Sequence, residues 1–153
     1  MQIPTWRSAA EVRLAEALEE GLLSGEEIQS ACAGGSLEAF GDVAPEAAAE
    51  ICDVLGGLRC YIPTLPHEPG SLFDDLSAEA RNLLLEVAGG DAVAIPRLYR
   101  LRLLVRDRVI LALRQAGAST TELAQQFQCT DRAIYQVLEK HRGDGCRPMS
   151  EHR

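Results

Sequence analysis

Aromatic residues are scarce in this chain, at 5% of 153 residues, with a single tryptophan. A large sheet draws on aromatic and β-branched side chains, so a composition rich in leucine and alanine favours helices instead. Long apolar runs are also missing. None approaches the roughly 18 residues that a membrane span needs, and Glu11, Arg13 and Glu16 interrupt the stretch where a signal peptide would carry its apolar core. The expectation is a cytoplasmic protein with no membrane partner. The five cysteines (Cys32, Cys52, Cys60, Cys129 and Cys146) are odd in number and include no C-x-x-C pair, which suits reduced thiols. There is no H-E-x-x-H, no glycine loop shaped to cradle phosphate, no G-x-S-x-G and no His/Cys cluster at metal spacing. An enzyme is therefore not expected, and neither a cofactor nor a metal.

Basic side chains are few in the first part of the chain. Residues 1–95 hold four of them (Arg7, Arg13, Arg59, Arg81) against seventeen acidic ones, a net of −13. Residues 96–153 hold eleven basic against six acidic, a net of +5. The overall −8 thus hides an asymmetry that points to a nucleic-acid-binding part joined to a solvating or partner-binding part. Acidic helices that are merely soluble would account for the first half equally well.

What the sequence does contain centres on Ser119–Arg142. Leu123, Phe127, Ile134, Val137 and Leu138 are the apolar positions, and Ala124 is a small residue where two helices must cross. Ser119, Thr120 or Thr121 could cap the first helix and Thr130 the second, with Asp131 in its first turn to suit the helix dipole. Two short helices with a turn of three or four residues predict a helix-turn-helix.

Upstream, residues 8–20 space Ala9, Val12, Ala15 and Leu18 or Leu14 as one amphipathic helix, broken at Gly21. Ser24 and Glu27 form a capping-box pattern for a second helix ending at Gly34-Gly35. An internal repeat follows. Residues 46–63 (E-A-A-A-E-I-C-D-V-L-G-G-L-R-C-Y-I-P) align with residues 79–96 (E-A-R-N-L-L-L-E-V-A-G-G-D-A-V-A-I-P) at a constant offset of 33. Each copy reads as a helix stopped by Gly-Gly, then a short strand ending in Ile-Pro, at Leu58–Ile62 and at Asp91–Ile95. A lone strand cannot satisfy its backbone groups, so these pair with each other or with a second chain. The connection between the copies carries two prolines, a glycine and His67, with a short turn of helix at Leu72–Leu76. From Arg97 the chain becomes a basic helix. Arg97, Arg100, Arg102, Arg106, Arg108 and Arg114 could neutralise phosphates, or keep a leucine-faced packing helix soluble. The expected architecture is mainly α: a helical N-terminal part with two short β-strands as an antiparallel ribbon, and a C-terminal three-helix helix-turn-helix domain at 97–142. Residues 143–153, with Cys146, read as a flexible tail.

The segments G-G-L-R-C-Y-I-P, G-G-D-A-V-A-I-P-R and R-D-R-V-I-L-A-L-R-Q-A-G-A-S-T-T-E-L-A-Q-Q-F-Q-C-T-D-R-A-I-Y-Q-V-L resemble the Mor transcription activators of Mu-like phages, over about residues 44–142. The resemblance implies a phage or prophage activator in a bacterial host, a homodimer whose strands pair between subunits, and recruitment of the host RNA polymerase. Residues 1–96 would then hold the dimerisation-like part. Two features depart from the family: it shows one Gly-Gly-strand unit where this chain has two, and Gln128 occupies a turn position usually held by glycine. A non-glycine residue in a left-handed turn costs about 1 kcal/mol.

A recognition helix places its N-terminal residues on base edges in the major groove of double-stranded DNA. In this register Thr130, Arg132, Tyr135 and Gln136 face outward. Arg132 suits guanine and Gln136 adenine, while Thr130 and Tyr135 suit phosphate. Thr121, Lys140, His141 and Arg142, with Arg97 and Arg100, would hold the backbone, and Asp131 and Glu139 would have to point away. The other reading is a protein-interaction adaptor or anti-repressor that uses the helix-turn-helix as a scaffold, with its acidic half as the active surface.

Overall fold

A computed structural model describes residues 3–65 and 70–142. The chain divides into two compact units, Arg13–Arg102 and a second that joins the residues up to Val12 with those from Leu103 onward. The division falls inside a helix, six residues beyond the boundary at 96/97 that the composition suggests. His67, Cys146 and the tail 143–153 lie outside the described residues.

The first unit begins with α1 (Leu14–Glu19) and α2 (Gly25–Cys32). The single helix expected over 8–20 is interrupted. Residues Ala9–Glu11 form one 3-10 turn, Val12 and Arg13 are extended, and α1 restarts at Leu14. The reason lies in Asp53, whose carboxylate accepts from the backbone N–H groups of Leu14 (2.9 Å) and Ala15 (3.0 Å). A carboxylate offered to the free amides of a helix start rewards beginning the helix there. At α2 the capping box is made as expected, with Ser24 accepting from the Glu27 N–H and the Glu27 carboxylate accepting from the Ser24 N–H.

A short helix that the sequence pattern did not reveal, α3 (Glu38–Val43), leads into α4 (Pro45–Leu55). Proline at the first position of α4 loses nothing, since its missing N–H would have had no helical partner. Ala47, Ala48, Ala49, Ile51, Cys52 and Leu55 are all buried, and α4 packs against α1, α2, α3 and a later helix. That helix is α5 (Ala78–Ala88), capped by the Ser77 hydroxyl, while Leu72–Leu76 forms turns rather than a turn of helix.

The ribbon consists of β1 (Arg59–Tyr61) and β2 (Ala92–Ala94), paired antiparallel within the chain. Both strands are three residues long, shorter than the five-residue segments expected. Each follows a Gly-Gly step whose second glycine is left-handed, Gly57 at φ 88° and Gly90 at φ 89°. Alternation along each strand buries Cys60 and Val93 and leaves their neighbours exposed. The described part is thus mainly helical with one two-stranded antiparallel sheet.

Candidate nucleic-acid interface

α6 (Tyr99–Gln115) is followed by α7 (Thr120–Gln126) and α8 (Asp131–Lys140). α6 ends at Gly117, which is left-handed at φ 107°. The Ala118 N–H then reaches back to the Leu113 carbonyl at 3.1 Å. Of the three candidate caps for α7, Ser119 is the one used, its hydroxyl accepting from the Glu122 N–H. α7 closes with the same kind of turn: Cys129 N–H donates to Ala124 O at 3.0 Å across a left-handed Gln128 at φ 54°. Gln128 therefore adopts the conformation that its position demands and bears the cost noted for a non-glycine residue.

In the second unit, Val105, Val109 and Ile110 of α6 are buried, as are Leu123, Ala124 and Phe127 around α7 and Ile134 and Val137 of α8. Ala124 is the small residue that the crossing of helices calls for. Leu138, placed in the core by the sequence pattern, is only half-buried. Trp6, Ala9 and Val12 are buried too, so the N-terminal segment forms part of this unit. A shallow groove there is lined by Thr5 and Arg7 together with Glu122, Gln125, Gln126 and Gln128.

The outward residues of α8 fall where the 3.6-residue period puts them. Arg132, Tyr135 and Gln136 are exposed, three and four residues apart, and so share one face. Thr130 is exposed at the start of α8, its hydroxyl accepting from the Ala133 N–H at 3.1 Å. Its own hydrogen is still available to a phosphate oxygen. Thr121, Lys140 and Arg142 are exposed as well, all in this unit. Arg97 and Arg100 are also exposed, but they belong to the unit Arg13–Arg102.

Several basic residues turn out to be structural. Arg102 is buried: Nη1 donates to Asp53 Oδ1 at 3.1 Å, Nη2 to the Cys52 carbonyl at 3.1 Å and Nε to the Arg97 carbonyl at 2.7 Å. It cannot also reach a phosphate. Arg114 donates to the Ala118 carbonyl at 2.9 Å, closing the end of α6. Arg106 donates from Nη2 (2.8 Å) and Nε (3.2 Å) to Asp107 Oδ1.

His141 is likewise removed from the backbone-holding set. It is buried, with Nε2 3.0 Å from Asp107 Oδ2. Since a carboxylate only accepts, that ring nitrogen carries the proton. Lys140 Nζ stands 3.9 Å from the same oxygen. Asp107 thus fastens the far end of α8 to α6. Glu139 is corrected as well: it is exposed and seven residues beyond Arg132, so it shares the face of Arg132 instead of pointing away.

Sequence reasoning missed Asp53, Asp107 and the place of Trp6. Each carried a faint signal: Asp107 is the one acid among the arginines of α6, and Trp6 is the chain's only tryptophan. Asp53 was visible only as one more acid in an acidic half.

Among the described residues no group of His, Cys, Asp and Glu could hold a metal ion. Burial pushes the thiols of Cys32, Cys60 and Cys129 up, and that of Cys52 up to about 12, so all four stay protonated. No described helix is long and apolar enough to cross a membrane.

An exposed polar helix face on a small helical unit agrees with the comparison of families, where residues 69–148 match a family of transcription activators. That family is the Mor transcription activator family, and the chain belongs to it. The matched segment takes in the second Gly-Gly-strand copy and all of α6, α7 and α8, and leaves the first copy, residues 46–63, outside. No curated protein and no solved structure matches the chain.

Proposed function

We propose that α7 and α8 form a DNA-reading helix-turn-helix, and that the protein activates transcription by binding double-stranded promoter DNA and recruiting RNA polymerase in the cytoplasm of a bacterial host. The observation that carries this reading is the face of α8: Arg132, Tyr135 and Gln136 exposed side by side while Ile134 and Val137 are buried behind them. Arg132 has the bidentate geometry for guanine O6 and N7, and Gln136 that for adenine N6 and N7. Thr130, Tyr135, Thr121, Lys140 and Arg142 supply phosphate contacts, which fix register without reading sequence. Arg97 and Arg100 are further phosphate partners. Net charge of −8 does not oppose this, because the +5 of residues 96–153 lies in the part that binds.

Fluorescence anisotropy on promoter fragments tests it. Arg132→Ala and Gln136→Ala each cost about 1–3 kcal/mol of sequence discrimination, while Arg142→Ala weakens all sequences alike and flattens the salt dependence. Absence of binding even at low salt refutes the reading.

The −13 of residues 1–95 favours one other function, an adaptor or anti-repressor whose acidic half meets a basic partner. The homodimer that the resemblance implies remains part of this reading; with β1 and β2 paired inside one chain, a second copy would join through other surfaces.

A further inference from the structure

The offset of 33 reaches back beyond residue 46 and joins stretches with different surroundings. Phe40, Ile51 and Cys52 correspond to Phe73, Leu84 and Leu85. In the first copy all three are buried. The cover is α2, which packs on both α3 and α4 and buries Ile28 and Cys32, four residues apart on one face. The approach is close, since a Cβ on Gly41 would meet Cys32 Cβ at 3.1 Å and Gln29 Cα at 3.4 Å. One polar tie accompanies it, Gln29 Nε2 donating to Asp42 Oδ1 at 3.0 Å.

Among the described residues the second copy has no counterpart of α2. At the same offset α2 maps onto 58–65, where the chain forms β1 and its flanks instead of a helix. Phe73, Leu84 and Leu85 line a groove of about 250 Å³ together with Ile62, Pro63 and Arg81. Phe73 and Leu85 are only half-buried there, against the full burial of Phe40 and Cys52. Leu72, next to Phe73 in the chain, is 63% exposed. The groove is smaller than the roughly 300–1,000 Å³ of pockets that enclose a small molecule. It suits anchor side chains of a helix laid along it, spaced at i and i+4.

The charges beside the groove are acidic. Asp74, Asp75 and Glu79 are exposed, and Asp75 corresponds to Asp42, the residue that holds Gln29 in the first copy. Asp74 stands where Gly41 lets α2 come close, so an occupant here lies further out than α2 does. The Asp74 carboxylate accepts from the Gly70 N–H at 2.8 Å, and Arg81 Nη1 donates to the Leu76 carbonyl at 3.0 Å. Asp75 and Glu79 are left to meet an arriving side chain.

We propose that the groove between α5 and the Ile62–Pro63 segment docks an amphipathic helix of a partner protein, with two apolar anchors four residues apart and basic side chains beside them. The first copy supplies the template, because α2 is what the chain itself puts at the corresponding place. Charge sets the sign of the partner: the net −13 of residues 1–95 and the carboxylates beside the groove call for a basic helix. The site is independent of the DNA reading of α8.

Anisotropy of a fluorescein-labelled synthetic peptide, titrated with the full chain, tests it. The peptide repeats the α2 pattern, with isoleucine and leucine four apart, glutamine after the isoleucine and lysine at the outward positions. A length of about 18 residues exceeds the limit below which isolated helices are marginal. At about 0.15 M salt, where charges beyond about 8 Å are largely screened, saturable binding is expected. Leu85→Asp abolishes it, and Asp75→Lys weakens it several-fold. Glu46→Lys, the same kind of reversal on the covered first copy, leaves it unchanged. Should Leu85→Asp fail to fold, as circular dichroism would show, the exposed Asp75→Lys still decides. No saturable binding overturns the proposal. Equal losses in Asp75→Lys and Glu46→Lys also overturn it, since the acidic surface would then attract any basic helix. So does a two-chain mass in sedimentation equilibrium that Asp75→Lys or Leu85→Asp reduces to 16.6 kDa, which would make the occupant a second copy.

Discussion

Glu139 shows what a single side chain would do to the proposed DNA-reading face. It is exposed on the helix face that carries Arg132, about 20° further round. A carboxylate there repels phosphate whatever the bases are, so its contribution is uniform across sequences. Glu139→Gln is expected to tighten binding to all DNA by several-fold at low salt, with the gain shrinking as salt rises. Anisotropy titrations at two ionic strengths on specific and random duplexes check it; a gain confined to one sequence would place Glu139 among the base-reading groups. The outward row of α8 was legible because a helix repeats every 3.6 residues, and that alone sorts Arg132, Tyr135 and Gln136 from Ile134 and Val137. His141 was not legible in the same way. Its burial depends on Asp107, 34 residues earlier, and no local period encodes a partner at that distance.

At the scale of elements, Asp53 ties three helices together. It sits on α4, accepts from the first amides of α1 and pairs with Arg102 of α6. Its side chain is 2% exposed. Removing one member of a buried ion pair strands the other charge, at a cost of about 3–5 kcal/mol. Asp53→Ala is therefore expected to lower stability by that order in urea denaturation, and Asp53→Asn by less, since an amide oxygen still caps α1. Equal losses would mean that the helix cap contributes little. This hub explains two differences between sequence pattern and structure. The 8–20 helix breaks at Val12–Arg13 because α1 starts on this carboxylate, and Arg102 turns inward because the same carboxylate is buried beside it. Capping was better foreseen, at Ser24, Ser119 and Thr130, because a cap and the amide it serves lie three residues apart.

For the molecule as a whole, the chain's opening residues belong with its last helices. Trp6 is 8% exposed within the unit that continues from Leu103. Truncating a buried tryptophan costs about 3–5 kcal/mol. Trp6→Ala is expected to raise hydrogen exchange in α7 and α8 while leaving α4 protected, as mass spectrometry of the full chain would resolve. Uniform loosening of both units would contradict the division. The mainly helical class, the ribbon and the order of elements were all readable from composition, Gly-Gly stops and periodicity. Whether the two strands met within one chain was not, because equivalent edges of Cys60 and Val93 fit each other equally well in either case.

The intrachain closure of the ribbon has a consequence for dosage. Two strands joined by about thirty residues of tether meet at an effective concentration in the millimolar range, far above the level of a scarce regulator in a cell. Their pairing is unimolecular, so it does not weaken on dilution. A ribbon assembled from two chains would fall apart as copies became few, and its activity would rise as a threshold. Here the ribbon of the first molecule made is already paired.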